Sequence, residues 1–210
     1  MSDKKSLKDV YSIKTPEDSI NLYRGWASSY DIDFAKQNDY RSPSEIVKFY
    51  DKYSKNTDAP ILDVGAGTGL IGECLNANAS REVDAIDISA EMLNIARSKN
   101  CYSKIIEADL TKRLMIDDDY YGAILSAGTF THGHVGPDVL DELLRVTRPG
   151  GLFIFTIHYK LYKKAGFNKK LLEMEDDITK PHFHKVYAYG NNSDKDYGGD
   201  KVIIPVFRKK

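Results

Sequence analysis

The segment Ala59–Gly72, APILDVGAGTGLIG, carries the clearest structural signal in this 210-residue chain. Its apolar run Ile61–Val64 is typical of a buried parallel strand. Three glycines follow at two-residue spacing: Gly65, Gly67 and Gly69. They predict a tight turn whose backbone can approach a ligand closely, because no Cβ stands in the way. A helix is predicted from about Leu70, with its first N–H groups facing the same turn.

The glycine spacing alone leaves the ligand open, since Gly67, Gly69 and Gly72 also satisfy the dinucleotide fingerprint G-x-G-x-x-G. Asp63 distinguishes the ligands. A nicotinamide or flavin cofactor brings a pyrophosphate to this turn, and a carboxylate two residues before the first glycine would repel it. S-adenosylmethionine brings an ammonium group and a sulfonium, which a carboxylate favours. The simpler alternative is that the glycines only let a strand turn into a helix.

Asp87 ends a second predicted strand, Glu82–Ile88, and falls 22 positions after Gly65. This offset is close to the roughly 20 residues at which a carboxylate meets ribose hydroxyls in nucleotide-binding folds. Ser89 is predicted to be the N-cap of a helix that carries Met92. The second strand therefore adds an acidic side chain suited to an adenosine.

Two more strands end near small or acidic residues. The third, Ser103–Ala108, precedes Asp109, although an acidic residue after a strand is often only a turn former. The fourth, Ala123–Leu125, opens into Ser126–Thr129, where small side chains let a ligand lie flat against the strand end. Three successive strands that each end near an Asp favour a shared ligand edge over turns alone.

The run from Ile61 to His158 resembles a class I S-adenosylmethionine-dependent methyltransferase, with ILDVGAGTG, AIDIS, EADL, YYGAILSAGTF and LLRVTRPGGLFIFTIH in order. The flanking LYRGWASSYDIDF, the pair Tyr40-Arg41 and GTFTHGHV resemble the Williams-Beuren syndrome region methyltransferase-like group. The resemblance implies an α/β fold with a doubly wound, Rossmann-like sheet of seven strands in the order 3-2-1-4-5-7-6, the last antiparallel. It also implies S-adenosyl-L-methionine as cofactor and S-adenosyl-L-homocysteine as product.

The motif positions and the resemblance together give one set of candidate cofactor-binding residues. These are Trp26, Tyr30, Arg41, Asp63, Gly65, Ala66, Gly67, Gly69, Asp87, Ile88, Met92, Asp109, Leu110, Ser126, Ala127, Gly128 and His132. His132 is also the candidate catalytic base, because the loop after the fourth strand should lie where ligands bind in such sheets. His134 and His158 are weaker candidates, and a lone loop histidine is more often solvated or structural.

Two helices precede the first strand, and they are expected to form a lid over the cofactor cleft. Thr15–Asp18 and Ser42–Glu45 carry the signals of helix starts, the second as a capping box. By resemblance, Tyr30 hydrogen-bonds the ligand and Arg41 pairs with its carboxylate. Trp26 and Tyr30 are four residues apart, so a core-facing stripe explains them equally well.

The chain is expected to be a single methyltransferase domain, 1–210, in three parts. Residues 1–14 are expected to be a disordered tail, 15–58 the lid helices, and 59–210 the Rossmann-like core. After a fifth strand, Gly151–His158, the sequence predicts a helix over Tyr162–Asp176 and a hairpin of Phe183–Tyr189 and Lys201–Phe207. Pro205 is tolerated best at a sheet edge or a bulge.

The amino-acid composition of the chain limits the kinds of binding partner that can be expected. With 30 basic and 31 acidic residues the formal net charge is −1, which argues against a dedicated nucleic-acid surface. Cys74 and Cys101 show no metal or disulfide spacing and are interpreted as reduced thiols, and no metal site is expected. No run is long and apolar enough for a membrane span. We expect a cytoplasmic protein, monomeric or weakly dimeric.

The sequence gives the least information about the methyl acceptor. A small molecule is the first choice, because the chain carries little basic surface, and a protein side chain is second. A binding protein that keeps the cofactor but catalyses nothing, serving as a sensor or partner subunit, is the main alternative. A nicotinamide-dependent oxidoreductase is a weaker one, because Asp63 disfavours a pyrophosphate and no hydride-transfer constellation is recognisable.

Overall fold

The computed structural model describes residues 7–13, 15–77, 80–131, 135–190 and 199–210. Within them one sheet is formed by β1 (Ile61–Val64), β2 (Val83–Asp87), β3 (Lys104–Glu107), β4 (Tyr121–Phe130), β5 (Thr147–His158), β6 (His182–Tyr187) and β7 (Lys201–Arg208). The strand order is β3-β2-β1-β4-β5-β7-β6. β7 is antiparallel to both β5 and β6, whereas the pairs from β3 to β5 are parallel. The predicted order, with an antiparallel last strand, is confirmed.

Helices precede the sheet and cover both of its faces. They are α1 (Leu7–Ser12), α2 (Pro16–Arg24), a π-helical segment (Asp31–Lys36), α3 (Ser42–Tyr53), α4 (Leu70–Asn76), α5 (Ala90–Ser98), α6 (Val139–Val146), α7 (Leu161–Lys164) and α8 (Phe167–Glu173). No helix of the described chain combines the length and the apolar character that crossing a membrane requires.

Side chains of β1 and β5 alternate between two apolar cores. Ile61 faces the core that α3 and α4 cover, whereas Leu62 faces the core that α6 and α8 cover. In β5, Ile154 faces the same core as Ile61, and Phe155 faces the same core as Leu62. All four side chains are at most 1% exposed. Because both faces are buried, these strands are nearly continuous apolar runs, as parallel strands in α/β sheets are.

The two predicted helix starts have different outcomes. At α2, Thr15 Oγ1 accepts the Asp18 amide at 3.1 Å and Asp18 Oδ2 accepts the Thr15 amide at 3.0 Å, so the predicted start is confirmed as a capping box. The capping box predicted at Ser42 is wrong. Arg41 occupies the N-cap position of α3 without a side-chain capping bond, and the Ser42 side chain is hydrogen-bonded to Tyr40 instead.

Three other segments differ from expectation. A helix, α1, lies in the expected tail, and its Val10 belongs to the core that includes α3. The helix predicted over 162–176 is two short helices, because Gly166 adopts a left-handed φ of 88° between them. Pro205 lies in β7, which is an interior strand, paired to Phe183 of β6, and not at a sheet edge.

Ion pairs and hydrogen bonds attach the N-terminal helical segment, residues 15–58, to the core. Arg24 pairs with Glu91 of α5 at 2.9 Å, and Asp31 pairs with Lys99 just after α5 at 2.5 Å. The Arg41 amide donates to the Ala188 carbonyl at 2.9 Å, beyond the end of β6. These contacts hold the segment across the carboxyl ends of the parallel strands.

Candidate functional site

A cavity lies where the carboxyl ends of the parallel strands meet the N-terminal helical segment. It contains about 980 Å³ of atom-free space, including the part open to solvent. Most of the predicted cofactor residues line it: Tyr30, Asp63, Gly65, Ala66, Gly67, Asp87, Ile88, Met92, Asp109, Leu110, Ala127 and Gly128. The structure thus brings residues from the ends of successive strands to one site, as expected for a doubly wound sheet.

The turn after β1 depends on two glycines in the left-handed region. Gly65 has a φ of 67° and Gly67 a φ of 54°. A Cβ at Gly65 would overlap the Thr129 hydroxyl, so this position must be glycine for β1 and β4 to pack. A Cβ at Gly67 would meet nothing within 4 Å, because it would project into the space beside the turn. Gly67 therefore leaves its backbone exposed to a ligand in the cavity.

Asp87 connects this turn to the start of α5. Its Oδ2 accepts the Gly67 amide and its Oδ1 accepts the Ser89 amide, both at 2.9 Å. Ser89 in turn accepts the Met92 amide at 3.3 Å, which confirms the predicted N-cap. Burial raises the pKa of Asp87 above its ordinary value, although the amide hydrogen bonds act against this shift. Each carboxylate oxygen keeps a lone pair for a ligand hydroxyl.

Asp63 is the most unusual side chain of the cavity. It is 1% exposed, its Oδ2 accepts the Tyr102 hydroxyl at 2.6 Å, and its Oδ1 has no hydrogen-bond partner among the described residues. Burial raises the pKa of this carboxyl to about 7, partly offset by the Tyr102 hydrogen bond. A buried polar atom without a partner costs free energy, so Oδ1 is suited to a cationic N–H donor in the cavity.

Asp109 lines the other end of the cavity, after β3. Its Oδ1 accepts the Thr111 amide at 2.9 Å and the Thr111 hydroxyl at 2.6 Å. Burial opposes its ionisation, but the hydrogen bonds from Thr111 outweigh burial and lower the pKa of the carboxyl. Asp109 is therefore ionised at neutral pH, and its remaining lone pairs can accept from a ligand.

Two predicted residues of the N-terminal helical segment do not line the cavity. Trp26 is 2% exposed and packs edge-on against Tyr30 and Phe34, with ring centroids 5.3 and 5.4 Å apart, so the core-stripe alternative describes it. Arg41 pairs with Asp39 at 2.6 Å, and its side chain is 47% exposed. In this structure the partner of Arg41 is therefore the Asp39 carboxylate, two residues away.

Two residues of the core strands and turn also lie beside the cavity without lining it. Gly69 has a φ of 91° and forms the N-cap of α4, so its contribution is to the turn itself. Ser126 is completely buried and donates its hydroxyl to the Val64 carbonyl at 2.6 Å, which ties β4 to β1. His132 and His134 lie outside the described residues.

Several lining residues are absent from the predicted set: Ser19, Tyr23, Tyr40, Pro43, Thr68, Leu70, Ile71, Thr111, Thr129 and Val135. Tyr23 and Tyr40 belong to the flanking motifs LYRGW and Tyr40-Arg41, so a signal for them was present. Thr68 sits between the second and third glycines of the turn and follows from the same motif. Within the described ranges, no group of three or more His, Cys, Asp or Glu side chains is arranged to hold a metal ion.

Comparison with known proteins agrees with this geometry. Residues 62–155 match the model of a methyltransferase domain family. Human methyltransferase-like protein 27 is 29% identical over 153 residues, 71% of this chain and 62% of that protein. The demethylmenaquinone methyltransferase of Paenarthrobacter aurescens is 29% identical over 144 residues, 67% of this chain and 55% of that protein. The chain thus spans less than two thirds of either relative's length.

Solved structures share the fold. A chain from a complex between the Haloferax volcanii Trm112 methyltransferase activator and a methyltransferase has a TM-score of 0.65 at 14% identity, covering 89% of this chain and 96% of that chain. The insertion of an antiparallel β7 between β5 and β6 also differs from the 3-2-1-4-5-6 order of nicotinamide-binding sheets. Motif order, the matched domain over residues 62–155 and the sheet order agree: the chain is similar to the class I S-adenosylmethionine-dependent methyltransferases.

Proposed function

We propose that this protein binds S-adenosylmethionine in the cavity at the strand ends and transfers its methyl group to a small-molecule acceptor. The observation that carries the proposal is the buried Asp63 oxygen without a partner, which lines the same cavity as the Gly67 backbone and Asp87. A sulfonium cofactor with an ammonium group offers this oxygen a cationic donor. A pyrophosphate cofactor would offer it a second negative charge.

In this proposal, different residues contact different parts of the bound cofactor. Asp87, at the end of β2, accepts from the ribose hydroxyls, and Ile88 and Met92 pack against the adenine. The turn at Gly65–Gly67 lies along the amino-acid end, with Asp63 accepting from the ammonium group. Asp109 and Leu110 complete the adenine end, and Ala127 and Gly128 border the reacting methyl group.

The activated methyl group is the chemistry that the bound cofactor supplies, because a neutral thioether is a good leaving group. The protein then needs to position the acceptor, exclude water and, where the acceptor carries a proton, receive that proton. Burial of Tyr23, Tyr30 and Tyr40 raises the pKa of all three phenols, so they stay protonated at neutral pH. They act as hydrogen-bonding and packing groups and not as bases. His132, the base expected from the sequence, lies outside the described residues.

A small-molecule acceptor is favoured by the relative named for demethylmenaquinone and by the balanced charge of the chain. One structural neighbour comes from a complex with a methyltransferase activator. Binding of a protein partner is therefore a second hypothesis to test. A cofactor-binding protein without turnover is the alternative function, because retained cofactor residues support binding alone.

Isothermal titration calorimetry tests the first half of the proposal. We expect micromolar affinity for S-adenosylmethionine and S-adenosylhomocysteine, and none for oxidised or reduced nicotinamide cofactors. Preference for a nicotinamide cofactor would contradict the proposal. The second half is tested by release of S-adenosylhomocysteine across a broad panel of small molecules: turnover on any of them excludes a binding protein that lacks catalysis.

A further inference from the structure

A second cavity lies directly beside the first. The two share four lining residues: Tyr23, Tyr30, Tyr40 and Gly128. The second has about 480 Å³ of atom-free space against about 980 Å³ in the first, each including space open to solvent. A Cβ at Gly128 would lie 2.6 Å from the Tyr40 hydroxyl, so glycine allows this tyrosine to stand over the end of β4. A small molecule in the second cavity would therefore neighbour a cofactor in the first.

The walls of the second cavity are mainly aromatic and buried. Phe34, Phe130 and Tyr189 are 3%, 1% and 7% exposed, and Ser42 and Thr156 add hydroxyl groups. Among the described residues, no Asp, Glu, Lys or Arg side chain lines it. Burying a charge without a partner is costly, so these walls favour a neutral ligand. The smaller volume favours a ligand of about one ring.

His158 is the one lining residue of the described chain that can exchange a proton near neutral pH. It ends β5, is 6% exposed, and its Nε2 lies 3.6 Å from Asp200 Oδ2. The Asp200 side chain is itself only 11% exposed. At this distance the Asp200 carboxylate attracts a positive charge on the imidazole, and water screens the pair weakly because both side chains are largely buried.

Building on the proposed function, we propose that the second cavity is the acceptor site and takes a neutral, single-ring compound bearing a hydroxyl group. The hydroxyl donates a hydrogen bond to His158. In the transfer, the acceptor oxygen forms a bond to the methyl carbon while the carbon–sulfur bond breaks and leaves its electron pair on sulfur. The hydroxyl proton passes to His158, and the Asp200 carboxylate balances the imidazolium charge.

Three single-ring probes of different charge test the ligand class: phenol, benzoate and benzylammonium. Each is titrated into the protein, with and without S-adenosylhomocysteine, and followed by protein NMR. Phenol is expected to bind at least about tenfold more tightly than either ion, about 1.4 kcal/mol. Equal or tighter binding of benzoate or benzylammonium would overturn the assignment of a neutral acceptor.

A cavity-filling variant tests the place of binding. Ala188 lines the second cavity and does not line the first, so Ala188→Leu should weaken phenol binding at least about tenfold and leave the S-adenosylhomocysteine affinity within about threefold. Ala165→Leu is the matched control, because Ala165 is exposed and lines neither cavity. If Ala188→Leu unfolds, Ala188→Val adds less volume. Unchanged phenol affinity in the folded variant would overturn the proposal.

His158 is tested by the preference for phenol over anisole, which lacks the hydroxyl proton. His158→Phe keeps a ring but no acceptor and should abolish the preference, whereas His158→Gln offers an amide oxygen and should retain it. A preference that persists in His158→Phe would overturn the assigned contact. Failure of S-adenosylhomocysteine to bind would contradict the proposed function alone, because the titration of phenol without it still tests the second cavity.

Discussion

Tyr102 donates its hydroxyl to Asp63 Oδ2 across 2.6 Å, while Oδ1 of the same carboxylate lies buried without a hydrogen-bond partner among the described residues. One oxygen is thus fixed by the protein and the other is left for a ligand. The Tyr102 hydroxyl needs only a hydrogen-bond acceptor, and a neutral group can provide one. A purely structural function would therefore not require a carboxylate at Asp63.

Asp63→Asn is therefore expected to weaken S-adenosylmethionine binding by about ten- to hundredfold, or about 1.4 to 2.8 kcal/mol. The amide oxygen still accepts from Tyr102, so the ligand-free variant should be at least as stable as the wild type at pH 8. Calorimetry and thermal unfolding measure the two quantities. Undiminished affinity in a folded variant would reject the pairing of Asp63 with the ammonium group.

The affinity for S-adenosylmethionine should rise with pH through about 7. Burial raises the pKa of Asp63 to about 7, so below that pH a proton must leave before the carboxylate can pair with the ammonium group. Each pH unit below the pKa then costs up to about tenfold in affinity. Titrations across this range should show the slope in the wild type and a flat profile in Asp63→Asn.

The same carboxyl should make the ligand-free protein less stable as the pH rises. An unfolded Asp has a pKa of about 3.9, whereas burial raises the folded value to about 7. Between these values the folded state holds more protons, so the stabilising contribution is complete below about pH 4 and is lost as the pH rises through 7. The difference in unfolding free energy between the wild type and Asp63→Asn, from denaturant titrations, should change in this window. A constant difference would contradict the raised pKa.

Two glycines provide a matched test of the turn. Gly67 and Gly150 have φ values of 54° and 82°, and a Cβ at either would meet nothing within 4 Å. Alanine at either position should therefore cost a similar, modest backbone strain of about 1 kcal/mol. Only Gly67 lines the cavity, so Gly67→Ala should reduce cofactor affinity at least about tenfold and Gly150→Ala should not. Equal affinities in the two variants would remove the turn from the cofactor site.

Asp87→Ala should lower both affinity and stability. Its carboxylate accepts the Gly67 and Ser89 amides, so its loss leaves two part-buried donors without this acceptor and costs up to about 3 kcal/mol of unfolding free energy. Loss of the ribose contacts should weaken S-adenosylhomocysteine by about tenfold or more. Asp87→Asn keeps one acceptor oxygen and should recover part of the stability but not the affinity. Wild-type affinity in Asp87→Ala would reject the ribose assignment.

Local patterns were sufficient for the strands and for the strand-end residues, whereas the order of the strands in the sheet was expected from the resemblance to a known family. The positions of Asp63, Asp87 and Asp109 follow from where each strand ends, and the parallel arrangement then brings them to one cavity. The same reasoning located the helix start at Thr15, although the capping box was predicted at Ser42 and forms at Thr15 instead.

The directions of side chains on the N-terminal helical segment depend on tertiary packing, which the sequence does not display. Trp26 and Tyr30 are four residues apart, yet Trp26 packs into the core and Tyr30 reaches both cavities. Arg41 pairs with Asp39, an exposed carboxylate. Resemblance to a family could not show whether Arg41 would pair with this side chain or with a ligand. Gly166 did offer a signal, since a glycine inside a predicted helix often ends it.

The attachment of the N-terminal helical segment at Asp31 gives the last prediction. Asp31 Oδ2 pairs with Lys99 at 2.5 Å, and Oδ1 accepts the hydroxyl of Thr68, a cavity residue, also at 2.5 Å. The Lys99 side chain is only 13% exposed, so water screens this pair less than a surface pair. Because the segment covers the cavity, loosening this contact should let the cofactor leave faster.

Asp31→Asn should therefore raise the dissociation rate of S-adenosylhomocysteine by about three- to tenfold, with a smaller effect on association, because the contact is made only when the segment is docked. Glu45→Gln is the matched control: its partner Lys48 is three residues away on α3 and 68% exposed, so its loss should change neither rate. Stopped-flow displacement measures the rates, and limited proteolysis around residues 25–40 reports opening of the segment. If both variants dissociate at the wild-type rate while Asp31→Asn remains folded, the segment does not control cofactor release.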